Sequence, residues 1–146
     1  MPARSKARKR ALDVLYEAEI KGQPVLDLLA ERSTEAGSAA AGGLPVTGYA
    51  AELVRGVQAH RERIDELLSE HSQGWTLDRM PAVDRNILRI GVYELYWASD
   101  VPDGVAISEA MLLARDLSTD GSPAFVNGLL ARLLELRPDL DPAPDQ

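Results

Sequence analysis

The chain contains no cysteine, which excludes disulfides, thiolate zinc sites and thiol nucleophiles together. Aromatic residues are nearly as scarce, with one Phe, two Trp and four Tyr among 146 residues. The core must then be built from Leu, Val, Ile and Ala, a composition that favours helices over sheet. Only two histidines occur, His60 and His71, with no partners at metal-ligand spacing and no H-E-x-x-H pattern. No G-K-[ST] follows the glycines of AAGGLPVTG, and no G-x-S-x-G is present. The abundant paired carboxylates belong to solvated helix faces of an acidic chain. Neither catalysis, a cofactor nor a metal is therefore expected. No apolar run approaches the ~20 residues that span a bilayer. Asp13, Glu17 and Glu19 interrupt the apolar positions after the basic start, unlike a signal or transit peptide. A soluble, cytoplasmic protein is expected, with no membrane partner.

What is present is an uneven charge. The chain carries −7 overall, yet its first ten residues hold Arg4, Lys6, Arg8, Lys9 and Arg10 without one acid. The remainder is −12. A field that negative does not gather polyanions, so any nucleic-acid contact has to be local.

Apolar spacing at helical period predicts about seven helices and no strand. The first runs from about Lys6 to Lys21, with Ala7, Ala11, Val14, Leu15 and Ala18 inward and Gly22 and Pro24 as the stop. A short one covers Val25 to Arg32. STEAGSAAAGGLP, residues 33–45, reads as a flexible linker. Helix resumes near Thr47 with Tyr49, Leu53, Val54 and Val57, bends near His60, and continues through Ile64, Leu67 and Leu68 to about Ser72. From Ala82 the run AVDRNILRIGVYELYWA is long and apolar. Val105 to Leu117 should bury Ile107, Ala110, Met111 and Ala114. In the last helix, Ser122 fits the N-cap and Pro123 the first position, with an end near Leu136, before Pro138. A tail over 138–146 is expected to be disordered.

Two stretches invite a ligand. On a helix, Arg4 and Arg8 share the side of Ala11 and Leu15, whereas Lys6, Lys9 and Arg10 point to the polar face. Two arginines on an apolar stripe are costly to bury unpaired, and bases at a helix N-terminus oppose its macrodipole. The first turn should therefore overhang the core or stay unfolded until a polyanion orders it. A solubilising, frayed terminus is the plain alternative to such an RNA arm. Five bases on single-stranded phosphates would give a slope of log K against log salt of roughly −3.5. At the other end, SPAFVNGLL places the single Phe, Phe125, in a first helical turn beside Asn127. Phe can stack on a base and Asn can read its edge, although Phe125 also fits a core position.

KARKRALDVLYEAE, AVDRNILRIGVYEL, SDVPDGVAISEAMLLAR and SPAFVNGLL together resemble the NusB family of bacterial transcription antitermination factors, from about Arg4 to Leu136. GWTLDRMPAVDR is similar to the actinobacterial branch. The resemblance implies an all-α fold of two small bundles, three helices and then four. We place these at about 1–72 and 73–137 of a single RNA-binding domain. It implies binding to the boxA element of ribosomal RNA leader transcripts, together with the tenth small-subunit ribosomal protein. Other Nus factors and RNA polymerase complete the assembly, which resists termination. The family's RNA site maps onto Arg4, Lys6, Arg8, Lys9 and Arg10, and near Ser122, Phe125 and Asn127. His71 stands where relatives often have Tyr, and Gly121 precedes Ser122 where they commonly have an acid. Asp84 and Arg85 are the candidates for docking the ribosomal protein. Two rivals remain: the leading domain of an RNA methyltransferase, disfavoured because DLDPAPDQ brings no catalytic domain behind it, and a protein-binding or homodimeric module whose RNA surface is masked.

Overall fold

The computed structural model describes residues 3–40 and 42–140. These form eight α-helices and one 3-10 turn, and no strand occurs among the described residues. The helices divide into two compact units, Met1–His60 and Arg61–Gln146.

The first unit holds α1 (Ala3–Lys21), α2 (Val25–Arg32), α3 (Glu35–Ala40) and α4 (Gly48–Ala59). Helix α1 is helical from Ala3 rather than frayed, and it packs chiefly on α4. Ala11, Leu12, Val14, Leu15 and Ala18 are buried beside Leu53, Val54 and Val57. The stop is a left-handed glycine: Gly22 has φ +67°, and the Gln23 N–H reaches back to the Ala18 carbonyl at 2.9 Å. Glu17 accepts from Lys21 and from Arg32, each at 2.5 Å, which ties α1 to α2. The stretch expected as a linker contains α3. The Thr34 hydroxyl accepts the Gly37 N–H at 3.0 Å, a side-chain cap in the middle of a run without large apolar residues. Gly37 is required there, because a Cβ would lie 1.9 Å from the Glu31 carbonyl oxygen.

The second unit holds α5 (Arg61–His71), α6 (Ala82–Trp97), α7 (Asp103–Leu117) and α8 (Ser122–Leu140), with the 3-10 turn Leu77–Arg79 before α6. The helix expected to bend near His60 is interrupted there, and the division between units falls at that break rather than near residue 72. The reason lies in α5, whose fully buried Ile64, Leu67 and Leu68 accompany an Asp65 carboxylate that pairs with Arg89 of α6. Helix α6 is the axis of this unit. Gly91 lets α8 approach so closely that a Cβ would stand 2.7 Å from a Leu130 methyl, and the Tyr96 hydroxyl donates to the Leu133 carbonyl at 2.7 Å.

Two details depart from the apolar spacing. Helix α7 buries Ala106, Ala110 and Ala114, leaving Ile107 and Met111 half-buried, because an alanine stripe allows closer packing on α6 and α8. Helix α8 continues through Pro138 to Leu140. A proline this near the end removes a single intrahelical bond, and Arg137 anchors the turn by donating to the Leu95 carbonyl and to both oxygens of Asp103. Residues 138–140 of the expected disordered tail are thus helical, and 141–146 lie outside the described residues.

Candidate nucleic-acid interface

The basic start of α1 is sorted by its surroundings. Arg4 is exposed, and its guanidinium lies 4.0 Å from the centroid of the Tyr49 ring on α4. Arg8 is buried to 3% exposure, with its guanidinium 5.8 Å from the same centroid. The expectation that Arg4 and Arg8 could not sit on the apolar stripe is thereby corrected for Arg8. The face of an aromatic ring carries partial negative charge and accommodates a guanidinium where a purely aliphatic wall would not. Lys6 is exposed. Lys9 is exposed too and pairs with Asp13 one turn later at 3.3 Å. Arg10 turns the other way: its guanidinium donates to the Leu44 carbonyl, while its Nε is buried without a hydrogen-bond partner. Arg10 thus fastens the segment after α3 to α1, and with Arg8 buried the exposed bases are Arg4, Lys6 and Lys9.

A second cluster lies in the other unit. Phe125 is half-buried and Asn127 exposed on the first turns of α8. The Phe125 ring meets the half-buried Trp75 edge-on, with centroids 5.0 Å apart and planes at 66°. Trp75 is set by the turn that follows α5, where Gly74 has φ +97° and the Ser72 hydroxyl donates to the Trp75 carbonyl. His71, half-buried at the end of α5, directs Nδ1 to the Leu67 carbonyl at 3.1 Å.

Three site expectations are revised by burial. Ser122 is wholly buried, so it is neither exposed to RNA nor the N-cap; it is the first residue of α8, and the Gly121 carbonyl takes the Phe125 N–H at 3.2 Å. The Ser122 hydroxyl instead donates to Asp84 at 2.7 Å, and the Ser118 hydroxyl donates to the other oxygen of that carboxylate. Asp84 itself has 0% exposure and holds the α7–α8 connection to α6, which withdraws it as a docking residue. Arg85 is half-buried and donates to the carbonyls of Leu77 and Met80 at 2.7 and 2.9 Å, which locks the 3-10 turn onto α6. Its guanidinium is committed to backbone.

The two residues not singled out as site residues are Tyr49 and Trp75. Tyr49 carries a core spacing, and Trp75 falls in a connection without periodicity. Their one sequence signal is scarcity: in a chain with seven aromatic residues, one stands under the arginines and one against Phe125. Among the described residues no group of three or more acids and histidines could hold a metal ion, and no helix is long and apolar enough to cross a membrane.

The sequence model of the NusB family matches residues 5–135. The transcription antitermination protein NusB of Thermobifida fusca is 55% identical over 94% of this chain and 93% of its own. Among solved structures, T. maritima NusB superposes with a TM-score of 0.76 at 31% identity, covering 92% of each chain. A chain from the crystal structure of antitermination factors NusB and NusE in complex with dsRNA gives a TM-score of 0.71 at 26% identity, over 90% of this chain and 96% of its own. The chain belongs to the NusB family.

Proposed function

We propose that this protein acts in transcription antitermination by binding the boxA element of ribosomal RNA leader transcripts. In this reading it works beside the tenth small-subunit ribosomal protein, in an assembly with other Nus factors on RNA polymerase. The observation that carries the RNA contact is the placement of Arg4 and Arg8 on one aromatic ring at the start of α1, in a chain whose remainder is −12. Support for the setting comes from the relatives' name and from the solved assembly of NusB and NusE with RNA.

Arg4, Lys6 and Lys9 meet phosphates, with Lys9 exchanging Asp13 for the ligand, while the buried Arg8 stays beside the Tyr49 ring. Arg10 contributes indirectly by holding the Leu44 segment. Phe125 offers a ring face to a base, Asn127 reads a base edge, and His71 supplements the stacking. Ser122 and Asp84 are buried and hold the fold rather than the ligand. No bond is made or broken, and specificity lies in the bases that the second cluster accepts.

The test is fluorescence anisotropy with a boxA RNA and a scrambled control, with and without the ribosomal protein, across salt concentrations. With Arg8 buried and Arg10 engaged, three phosphate contacts predict a slope of about −2. Equal affinity for both RNAs in the presence of the partner would overturn the boxA assignment. A homodimer that persists in solution and excludes RNA would replace it with the masked-module reading.

A further inference from the structure

We infer that Tyr49 is a positioning residue for RNA, a pedestal that holds the Arg4 and Arg8 guanidiniums in place before RNA arrives; this rests on the RNA reading above.

The geometry is non-local. Thr47 is extended, Gly48 adopts φ +60°, and Tyr49 follows at the start of α4, packed against α1. A left-handed Gly48 is an entry that other residues take only with strain. It delivers the aromatic ring to the N-terminal end of α1, under residues 45 and 41 positions earlier in the chain.

Two consequences follow from physical chemistry. First, Arg8 on an apolar stripe needs a partner that tolerates a guanidinium without exposing it to water, and a ring face supplies one. Second, Arg4 is exposed, and an exposed arginine ordinarily samples many rotamers. Stacked at 4.0 Å, it has already lost much of that freedom. A phosphate that meets Arg4 therefore finds it preorganised, and the entropy of ordering it does not oppose binding again. The two cations beside one ring also repel each other, and an anion at the exposed Arg4 offsets that repulsion. A leucine at position 49 would fill the same gap with none of these effects.

The experiment is a double-mutant cycle read by RNA anisotropy at one salt concentration, with thermal melting to establish that each variant is folded. Tyr49→Leu should weaken RNA binding roughly five- to tenfold, while Tyr49→Phe, which keeps the ring face, should stay within about twofold. In an Arg4→Gln background, Tyr49→Leu should cost less than it does in the unaltered protein, because part of its effect runs through Arg4. If Tyr49→Leu fails to fold, a heavily fluorinated phenylalanine at 49 carries the test, since it keeps the ring shape and cancels its negative face. That variant should bind RNA as weakly as expected for the leucine. Full additivity of Arg4→Gln and the position-49 change, or undiminished affinity without the ring's charge, would overturn the pedestal alone. Absence of RNA binding by the unaltered protein would overturn the RNA reading and the pedestal with it.

Discussion

The starts of α1 and α6 are both charged, and both look like binding surfaces in the sequence, yet the structure uses them in opposite ways. At α1, Arg4 and Lys6 stand exposed, and the buried Arg8 lies near the face of the Tyr49 ring. At α6, Asp84 is sealed beneath two serine hydroxyls and Arg85 is spent on two backbone carbonyls. Charge type and helix position do not separate the two cases. What separates them is exposure and the role of the contacts that are seen: surface cations beside a ring at α1, and a sealed carboxylate with a backbone-bonded guanidinium at α6. Asp84 and Arg85 are engaged in hydrogen bonds that build the fold, whereas Arg4 presents its charge at the surface above an aromatic ring.

The comparison can be broken first at α6. Asp84→Ala leaves the Ser118 and Ser122 hydroxyls without their acceptor and should cost about 3 kcal/mol in urea unfolding, the largest effect expected. Affinity for RNA should be nearly unchanged in the protein that remains folded. A stability loss below about 0.5 kcal/mol would mean that Asp84 is not the clamp described. At α1 the converse holds: Arg4→Gln with Lys6→Gln, both exposed, should lower RNA affinity by roughly tenfold or more at moderate salt and flatten its salt dependence. Melting should change much less than with Asp84→Ala.

Next in size is Phe125→Ala, which removes a half-buried ring lying against Trp75. Stacking on one base predicts a loss of about 1–2 kcal/mol, or roughly five- to thirtyfold in affinity. A large drop in melting temperature with unchanged binding would restore Phe125 to the core. Smallest is a pH effect at the far end of α1. The Lys21 ammonium bonded to Glu17, aided by Arg32, holds that carboxyl below its ordinary value of 4.5. A depressed carboxyl stabilises the fold fully above its unfolded-state pKa and ceases to do so as pH falls through the folded value. Stability measured from pH 7 downward should show this acid-side loss, and Glu17→Gln should show less of it.

Much of the fold was legible because apolar periodicity is a local signal. It gives α1, α2 and α6 nearly at their observed bounds. Helix α3 escaped because it has no large apolar residue, only the Thr34 cap and small residues. In α7 the expected Ala110 and Ala114 are buried, but Ala106 joins them in place of Ile107 and Met111, because the alanines pack more closely than the larger side chains can. The sites were legible only in part for a different reason. Arg4 and Tyr49, Asp84 and Ser122, and Trp75 and Phe125 are joined across 45, 38 and 50 residues, and no pattern within one helix reveals such a pairing. Ser122 fits a cap by its position at a helix start, whereas its hydroxyl is engaged by Asp84 of another helix.

The most direct test of the contrast is the salt dependence of RNA binding, measured on the unaltered protein, Arg4→Gln and Arg85→Gln in parallel. Removing one phosphate contact should make the slope shallower by about 0.7 for Arg4→Gln, and Arg85→Gln should leave it unchanged despite losing stability. An unchanged slope for Arg4→Gln, or a shallower one for Arg85→Gln, would contradict the division between a ligand-facing charge at α1 and a structural charge at α6.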